Sequence, residues 1–516
     1  MGLRCDRLAQ RAFTWQFGDD SPSRPLLTMR RIPVLLLVLT VSSLSRLVGW
    51  QALDNGDDLT GDPRFQQALG LFEVWLDARM AYEQIPAVSV SLVHDQNMIW
   101  TAGYGYADRE DRIPATSGTL YSICSISKLF TSIGVMQLRD RGKLELNDPL
   151  GDHLPWFDLE QAYPDGPDVT VEGILTHSSG LPRESAHPYW TGPDYPFPTR
   201  EQIIEGLGHQ ATLYPASRYF QYSNLGMTLA GQLIERISGM TYEEYIQTNV
   251  LDPLGLEHTY PEIPDQHQGG LLATGYNRLD REGKRDVAPL FHARGIAPAA
   301  GFASSAEDLA RFAMWQMRLL EDGGTEVLSA NTLREMQRVH WVDPDFETMW
   351  GLGFSVRRHD ATAVVGHGGS CPGFRSILQY IPSSKLAGAV MINAQGTNPA
   401  DIFNRMHETI GAAVTSIVAD PEGGTPLVSD FEKYEGLYAS DWGEMGIIRW
   451  KEGLAVVALP SNDPVEAMRE LRHVDGNIFR RVRDDGELAE AYIFEVGSDG
   501  DVERVSVHGN FSEKVR

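Results

Sequence analysis

Strand-forming residues stand at both ends of a long stretch whose middle is helical, and that order limits what this chain can become. Pro86 to His94 is rich in Val and Leu, Asp95-Gln96-Asn97 is a turn, and Met98 to Tyr104 reads as a second strand, giving an early antiparallel hairpin. Strand character returns only at Ala363–Gly366, Arg375–Ile381 and Leu386–Asn393. Strands from both ends can pair into one sheet. The helices between them then lie against that sheet, and a cleft forms between the two parts. The expected class is α+β: an antiparallel sheet flanked by helices, with a mostly helical subdomain.

The helical segments are legible from apolar spacing and end signals. Phe65 to Tyr82 carries Leu69, Leu71, Phe72, Trp75, Leu76 and Met80 at helical intervals and reads as an amphipathic helix. Ser125 opens a helix running to about Arg141, stopped by Gly142. Further helices are expected from Pro198, over Leu225–Ile237 and over Tyr242–Val250, and a Ser304–Glu307 capping box starts one that reaches Leu320. A helix over Ala400–Ala413 closes this unit, which spans residues 60–418. Residues 419–430 are a linker by composition, and residues 431–516, with turns such as Asp484-Asp485-Gly486, read as a small all-β domain.

At the other end, Met29-Arg30-Arg31 precedes the apolar run Val34–Val41 and the small residues Ser42 and Ser43. This is the charged–apolar–small order of a secretory signal, placing residues 1–52 in an upstream segment and signal peptide. The run is shorter than the ~20 residues that span a bilayer. Export to the periplasm or outside is expected, with no stable membrane span after cleavage and anchoring if the segment is retained. A net charge of −26 disfavours a nucleic-acid partner. Three cysteines, Cys5, Cys124 and Cys371, make neither a disulfide framework nor a zinc site. Cys124 is read as a small buried apolar residue, with a Cys124–Cys371 bridge as the lesser reading.

The chemistry begins at Ser125-x-x-Lys128, which occurs once in the chain. A serine hydroxyl needs a base to attack at neutral pH, and an i,i+3 helical spacing brings an amine within reach. Alone the pattern is weak. Gly-x-Ser-x-Gly is absent, and His407-Glu408 lacks a second His at Gly411, so neither an α/β-hydrolase elbow nor a zinc-protease helix is supported. His267-Gln268-Gly269 has no strand before it and is set aside. Tyr222 taken alone is a core aromatic, Asn224 an N-cap, and His177 and Ser178 turn residues in a Gly-Pro loop.

Together, Ser125-x-x-Lys128, Tyr222-Ser223-Asn224 and His367-Gly368-Gly369 resemble the three signature motifs of the serine β-lactamase and penicillin-binding protein superfamily. The Tyr-x-Asn form points to the branch of class C β-lactamases, D-alanyl-D-alanine carboxypeptidases, D-aminopeptidases and esterases. Leu175-Thr176-His177-Ser178-Ser179-Gly180-Leu181, Leu251–Leu256, Trp350-Gly351-Leu352-Gly353-Phe354 and Pro372-Gly373-Phe374 extend the likeness across about residues 65–415. The resemblance implies that Ser125 is the nucleophile, Lys128 its base and Tyr222 a proton relay. It also implies substrate binding by Asn224, His367, Gly368 and Gly369, and an oxyanion hole from the backbone N–H groups of Ser125 and Ser370. No cofactor or metal is expected.

Many relatives carry Lys where this chain has His367, so a weaker, pH-dependent hold on a substrate carboxylate is expected. The expected activity is therefore that of an exported serine hydrolase on a D-amino-acid peptide or an acyl ester. A class C-type β-lactamase or DD-carboxypeptidase is the alternative, and an inactive penicillin-binding-like sensor or scaffold is the alternative from another class. Residues 431–516 loosely resemble a lipocalin-like appendage, through Tyr434-Glu435-Gly436-Leu437-Tyr438.

Overall fold

The computed structural model describes residues 59–359 and 362–516, so the expected signal segment lies outside the described residues. Its frame is one antiparallel sheet of nine strands. Strand β1 (Ala87–His94) pairs with β2 (Asn97–Asp108) on one side. Strands β3 (Thr362–Cys371), β4 (Phe374–Ile381) and β5 (Leu386–Ile392) come from the far end of the stretch. β5 returns to lie against β1, from Val88 opposite Ile392 to His94 opposite Leu386. β4 joins β5, and β3 joins β4. β5 is buried along its whole length and β1 along all but its last residue. A strand covered on both faces reads as a continuous apolar run, which is why neither shows clean alternation.

Helices cover both faces. On one, α1 (Pro63–Tyr82) and the helical stretch from Pro399 to Ala419 share a core in which Phe72, Trp75 and Leu76 meet Val88, Val90, Ile392, Ile402 and Ile410. On the other lie α2 (Ser127–Asp140), α3 (Asn224–Ser238) and α4 (Ala306–Asp322). Their Leu129, Phe130, Leu229, Leu309 and Phe312 form one core with Ala387, Ala389 and Met391 of β5.

Several helix ends differ from expectation for local reasons. The cap of α4 is Ser305, whose hydroxyl accepts from Asp308 N, whereas Ser304 belongs to a two-stranded ladder with Tyr121. The cap of α3 is Ser223 rather than Asn224, since the Ser223 hydroxyl takes the Gly226 N–H. The closing helix runs on to Ala419 through a π-helical turn at His407–Gly411.

Eight strands between Gly436 and Lys514 close into a barrel. Its interior is filled by Tyr434, Tyr438, Leu454, Phe479, Phe494 and Val505. The barrel also explains why α1 is not amphipathic in the expected sense. Opposite its sheet-facing side, Leu71, Val74 and Ala78 pack on Ile448, Ala455, Val457 and Leu459 of the barrel wall. One helix therefore serves two cores. Gly446 makes room for this docking: a Cβ there would lie 2.2 Å from Val74 Cγ2. Overpacking at such a contact costs about 1–3 kcal/mol, so Gly446→Val is expected to lower the urea midpoint by that equivalent. Val74→Ala in the same chain is expected to recover most of the loss. An unchanged midpoint in the single variant would contradict this packing.

Candidate active site

The backbone of the Ser125 turn is fixed before its chemistry is considered. Ser125 sits in a 3-10 turn, Cys124–Ile126, that leads directly into α2. Ile123 N donates to Phe302 O at 2.9 Å, tying the turn to the helical part. On the sheet side, Ser376 Oγ of β4 donates to Ile123 O at 3.0 Å. Cys124 has φ +52°, a left-handed conformation that a non-glycine residue holds only when its surroundings impose it. Its neighbour imposes one constraint: Cys124 is disulfide-bonded to Cys371, the last residue of β3. This corrects the reading of Cys124 as a free apolar side chain. The two residues are 247 positions apart, and only the pairing of the turn with β3 brings their Cα atoms to 5.7 Å.

Lys128 lies in the first turn of α2 and is fully buried. Its Nζ is 3.0 Å from Ser125 Oγ and donates to Ala299 O at 2.6 Å. Burial pushes this amine well below the ordinary lysine range; the nearby Glu184 charge opposes the shift and Arg183 adds to it. A neutral amine keeps a lone pair that can accept a proton. Burial holds the Tyr222 phenol above the ordinary tyrosine range, a shift that the neighbouring Ser125 hydroxyl opposes. A phenolate is therefore disfavoured, and Tyr222 meets the serine as a neutral hydroxyl.

The segment carrying Tyr222 is clamped by the loop that precedes it. His177 O accepts from Gln221 N at 2.7 Å, and His177 Nδ1 accepts from Ser223 N at 3.2 Å. Ser223 Oγ donates to Pro182 O at 2.7 Å. The His177 ring lies 4.3 Å from the Tyr222 ring, centroid to centroid, with Trp350 packed against both. Because Nδ1 accepts, His177 is neutral with its proton on Nε2, consistent with burial pushing its pKa well down. Thus His177 does the packing work expected of it, and it also positions Tyr222.

Asn224 begins α3, and its Nδ2 donates to both Glu184 oxygens, at 2.8 and 3.0 Å. A carboxylate only accepts, so the amide is oriented by this pair and its buried Oδ1 has no partner among the described residues. Glu184 also accepts from the Tyr189 hydroxyl. No sequence pattern marked Arg183-Glu184, because their place beside Tyr222 comes from the loop's path rather than its spacing.

The third motif lies on β3, where exposure alternates from His367 to the end of the strand. His367, Gly369 and Cys371 are buried, and Gly368 and Ser370 are exposed. Gly369 has a structural neighbour of its own: a Cβ there would come within 2.1 Å of Ile123 O, so only glycine lets β3 approach the nucleophile turn this closely. His367 is pushed down to about 3, first by burial and then by Lys128. It is neutral throughout the physiological range, rather than titrating near pH 7 as the sequence suggested. Its Nδ1 lies 2.6 Å from Gly368 O and so carries the proton, leaving Nε2 as an acceptor with no partner among the described residues.

Comparison with known proteins places this geometry. The Beta-lactamase family model matches residues 72–413, more than half of the chain. Over 382 residues the chain is 25% identical to Penicillin-binding protein 4 of Amycolatopsis lactamdurans, covering 71% of this chain and 96% of that protein. It is 26% identical over 352 residues to Beta-lactamase-like protein 2 of Dictyostelium discoideum, covering 67% of this chain but only 62% of that protein's length. Among solved structures, the octameric penicillin-binding protein homologue from Pyrococcus abyssi superposes with a TM-score of 0.58 at 26% identity, over 86% of this chain and all of that one. SurE, at 22% identity and a TM-score of 0.53, shares the fold. The chain belongs to the Beta-lactamase family, within the β-lactamase and penicillin-binding protein superfamily.

Proposed function

We propose that the protein is an exported serine hydrolase that cleaves an amide or ester through an acyl-enzyme on Ser125. The observation that carries this reading is the buried Lys128 amine 3.0 Å from Ser125 Oγ, with the Tyr222 hydroxyl neighbouring the same serine. The neutral amine takes the serine proton as Oγ attacks the carbonyl carbon. Tyr222, a neutral hydroxyl, gives its proton to the leaving oxygen or nitrogen as the carbonyl–heteroatom bond breaks and regains one from the protonated Lys128, which returns to its starting form. Water then attacks the ester and restores Ser125. The N–H groups of Ser125 and Ser370 serve as the oxyanion hole. Asn224 Oδ1 and His367 Nε2 are acceptors and suit substrate N–H or O–H groups.

A neutral His367 supports peptidase or esterase activity over potent β-lactam hydrolysis, because no fixed charge stands at the third motif. The Cys124–Cys371 bridge supports export, since disulfides persist in oxidising compartments. The test is covalent labelling with a fluorophosphonate, followed by mass analysis of the modified peptide. The expected result is one adduct, on Ser125. An unlabelled protein would favour the non-catalytic scaffold, and an adduct elsewhere would remove Ser125 as nucleophile. Turnover of nitrocefin well above that of D-aminoacyl amides, D-Ala-D-Ala peptides and short esters would favour the β-lactamase alternative.

A further inference from the structure

We infer that Arg183 binds a carboxylate on the substrate and so sets which acyl compounds this site accepts. The inference rests on the hydrolase reading above and names the substrate class for the same site. Its starting point is a missing charge. Burial pushes the pKa of Lys128 well down and that of His367 to about 3, so neither is a permanent cation for an anionic substrate. Arginine stays protonated in any protein setting.

Arg183 stands at the mouth of the site, its side chain 59% exposed. Its guanidinium carbon is 4.9 Å from the centroid of the Tyr222 ring, the same distance as Lys128 Nζ. The Tyr222 ring thus has the buried lysine and the exposed arginine at the same distance.

The arginine is also held in place, as a recognition group must be. Its backbone oxygen accepts from Asn224 N at 2.7 Å and from Leu225 N at 3.2 Å, fixing it to the start of α3. Its Nε lies 3.2 Å from Glu184 Oε1. Glu184 divides its charge among Arg183, the Asn224 amide and the Tyr189 hydroxyl, so it orients the guanidinium without occupying it. The ion pair engages Nε, the guanidinium nitrogen nearest the chain, and the side chain is 59% exposed. Two parallel N–H donors on a rigid planar group match the two oxygens of a carboxylate. Beside them, the partnerless Oδ1 of Asn224 suits an N–H of the same substrate. Arg357, on the neighbouring strand Ser355–His359, is an arginine whose charge, with that of Lys128, lowers the His367 pKa. It therefore serves as the control.

The experiment compares two depsipeptide esters identical at the scissile bond, N-acylaminoacyl-D-lactate and its lactamide, one ending in a carboxylate and the other in a carboxamide. The native protein is expected to prefer the carboxylate form by roughly 10- to 100-fold in kcat/KM, the range of a charge-assisted hydrogen-bonded pair. Arg183→Gln is expected to abolish the preference mainly through KM, the acid and the lactamide becoming equal substrates of that variant. Arg183→Lys is expected to keep part of it, and Arg357→Gln to leave it intact. A preference that survives Arg183→Gln, follows Arg357 instead, or is absent from the native protein overturns the inference. Binding is read separately from turnover, by intrinsic fluorescence titration with N-acetyl-D-alanine and N-acetyl-D-alaninamide. Tighter binding of the acid that vanishes in Arg183→Gln upholds carboxylate recognition even if Ser125 fails to label. Equal binding of acid and amide overturns it even if Ser125 does label.

Discussion

Lys128→Met is expected to lower kcat/KM on the protein's ester or amide substrates by about 10²- to 10⁴-fold, the range lost with a general base. Methionine nearly preserves the volume of the lysine stem, so the fully buried position stays filled. Only the amine beside Ser125 Oγ is removed. Ser125→Ala should be as damaging or more so, and the double variant no worse than Ser125→Ala, because groups that act as one unit are strongly non-additive. Steady-state kinetics on all three proteins checks this. A loss below tenfold in Lys128→Met would remove Lys128 as the base.

The same substitution separates catalysis from folding. Lys128 has a pKa lowered well below its ordinary value by burial, so between the two values the unfolded chain binds more protons than the folded one. Stability then rises with pH up to the ordinary lysine pKa of about 10.4, and below that the buried amine is a cost. Lys128→Met should remove this part of the pH dependence and should not lower the melting temperature at neutral pH. Inactivity accompanied by a large drop in melting temperature would point to misfolding.

The second large effect concerns stability. Cys371→Ser is expected to lower the unfolding free energy by about 2–4 kcal/mol, because it opens a covalent loop between residues far apart in sequence. The bridge joins positions 247 residues apart and ties the nucleophile turn to the end of β3. Cys124→Ser should cost a similar amount, and the double substitution no more than either, since one bond is lost in each case. Activity should fall as well, because the left-handed Cys124 that precedes Ser125 loses its tether. Urea unfolding with and without reductant reads the effect. Coincident midpoints for the native and Cys371→Ser proteins would show that the bridge does not form in solution.

Much of the fold was legible because its signals are local. The early hairpin, the late strands and the α2, α3 and α4 helices each announce themselves within a few residues. The role of α1 was half legible. Its apolar spacing showed one buried side, but Leu71 and Val74 were assigned no separate partner, since the barrel that covers them begins more than 350 residues later. Helix caps slipped by one residue at Ser305 and Ser223, because adjacent serines and an asparagine are all competent caps and tertiary pairing selects among them.

By itself, the sequence determined that Ser125 and Lys128 stand three residues apart at the approach to a helix, that Tyr222 begins a second motif and that His367 opens the third. Covalent order and helical spacing carry that information. The tertiary structure alone decided the electrical state of the site. Burial pushed the Lys128 pKa well below the ordinary lysine range and held His367 neutral across the physiological range. It also left Arg183 at the mouth as a permanent cation beside Tyr222. It decided the Cys124–Cys371 bond and the service of Gly369 to the nucleophile turn. Desolvation and close approach depend on which distant segments meet, and no window of sequence contains both partners.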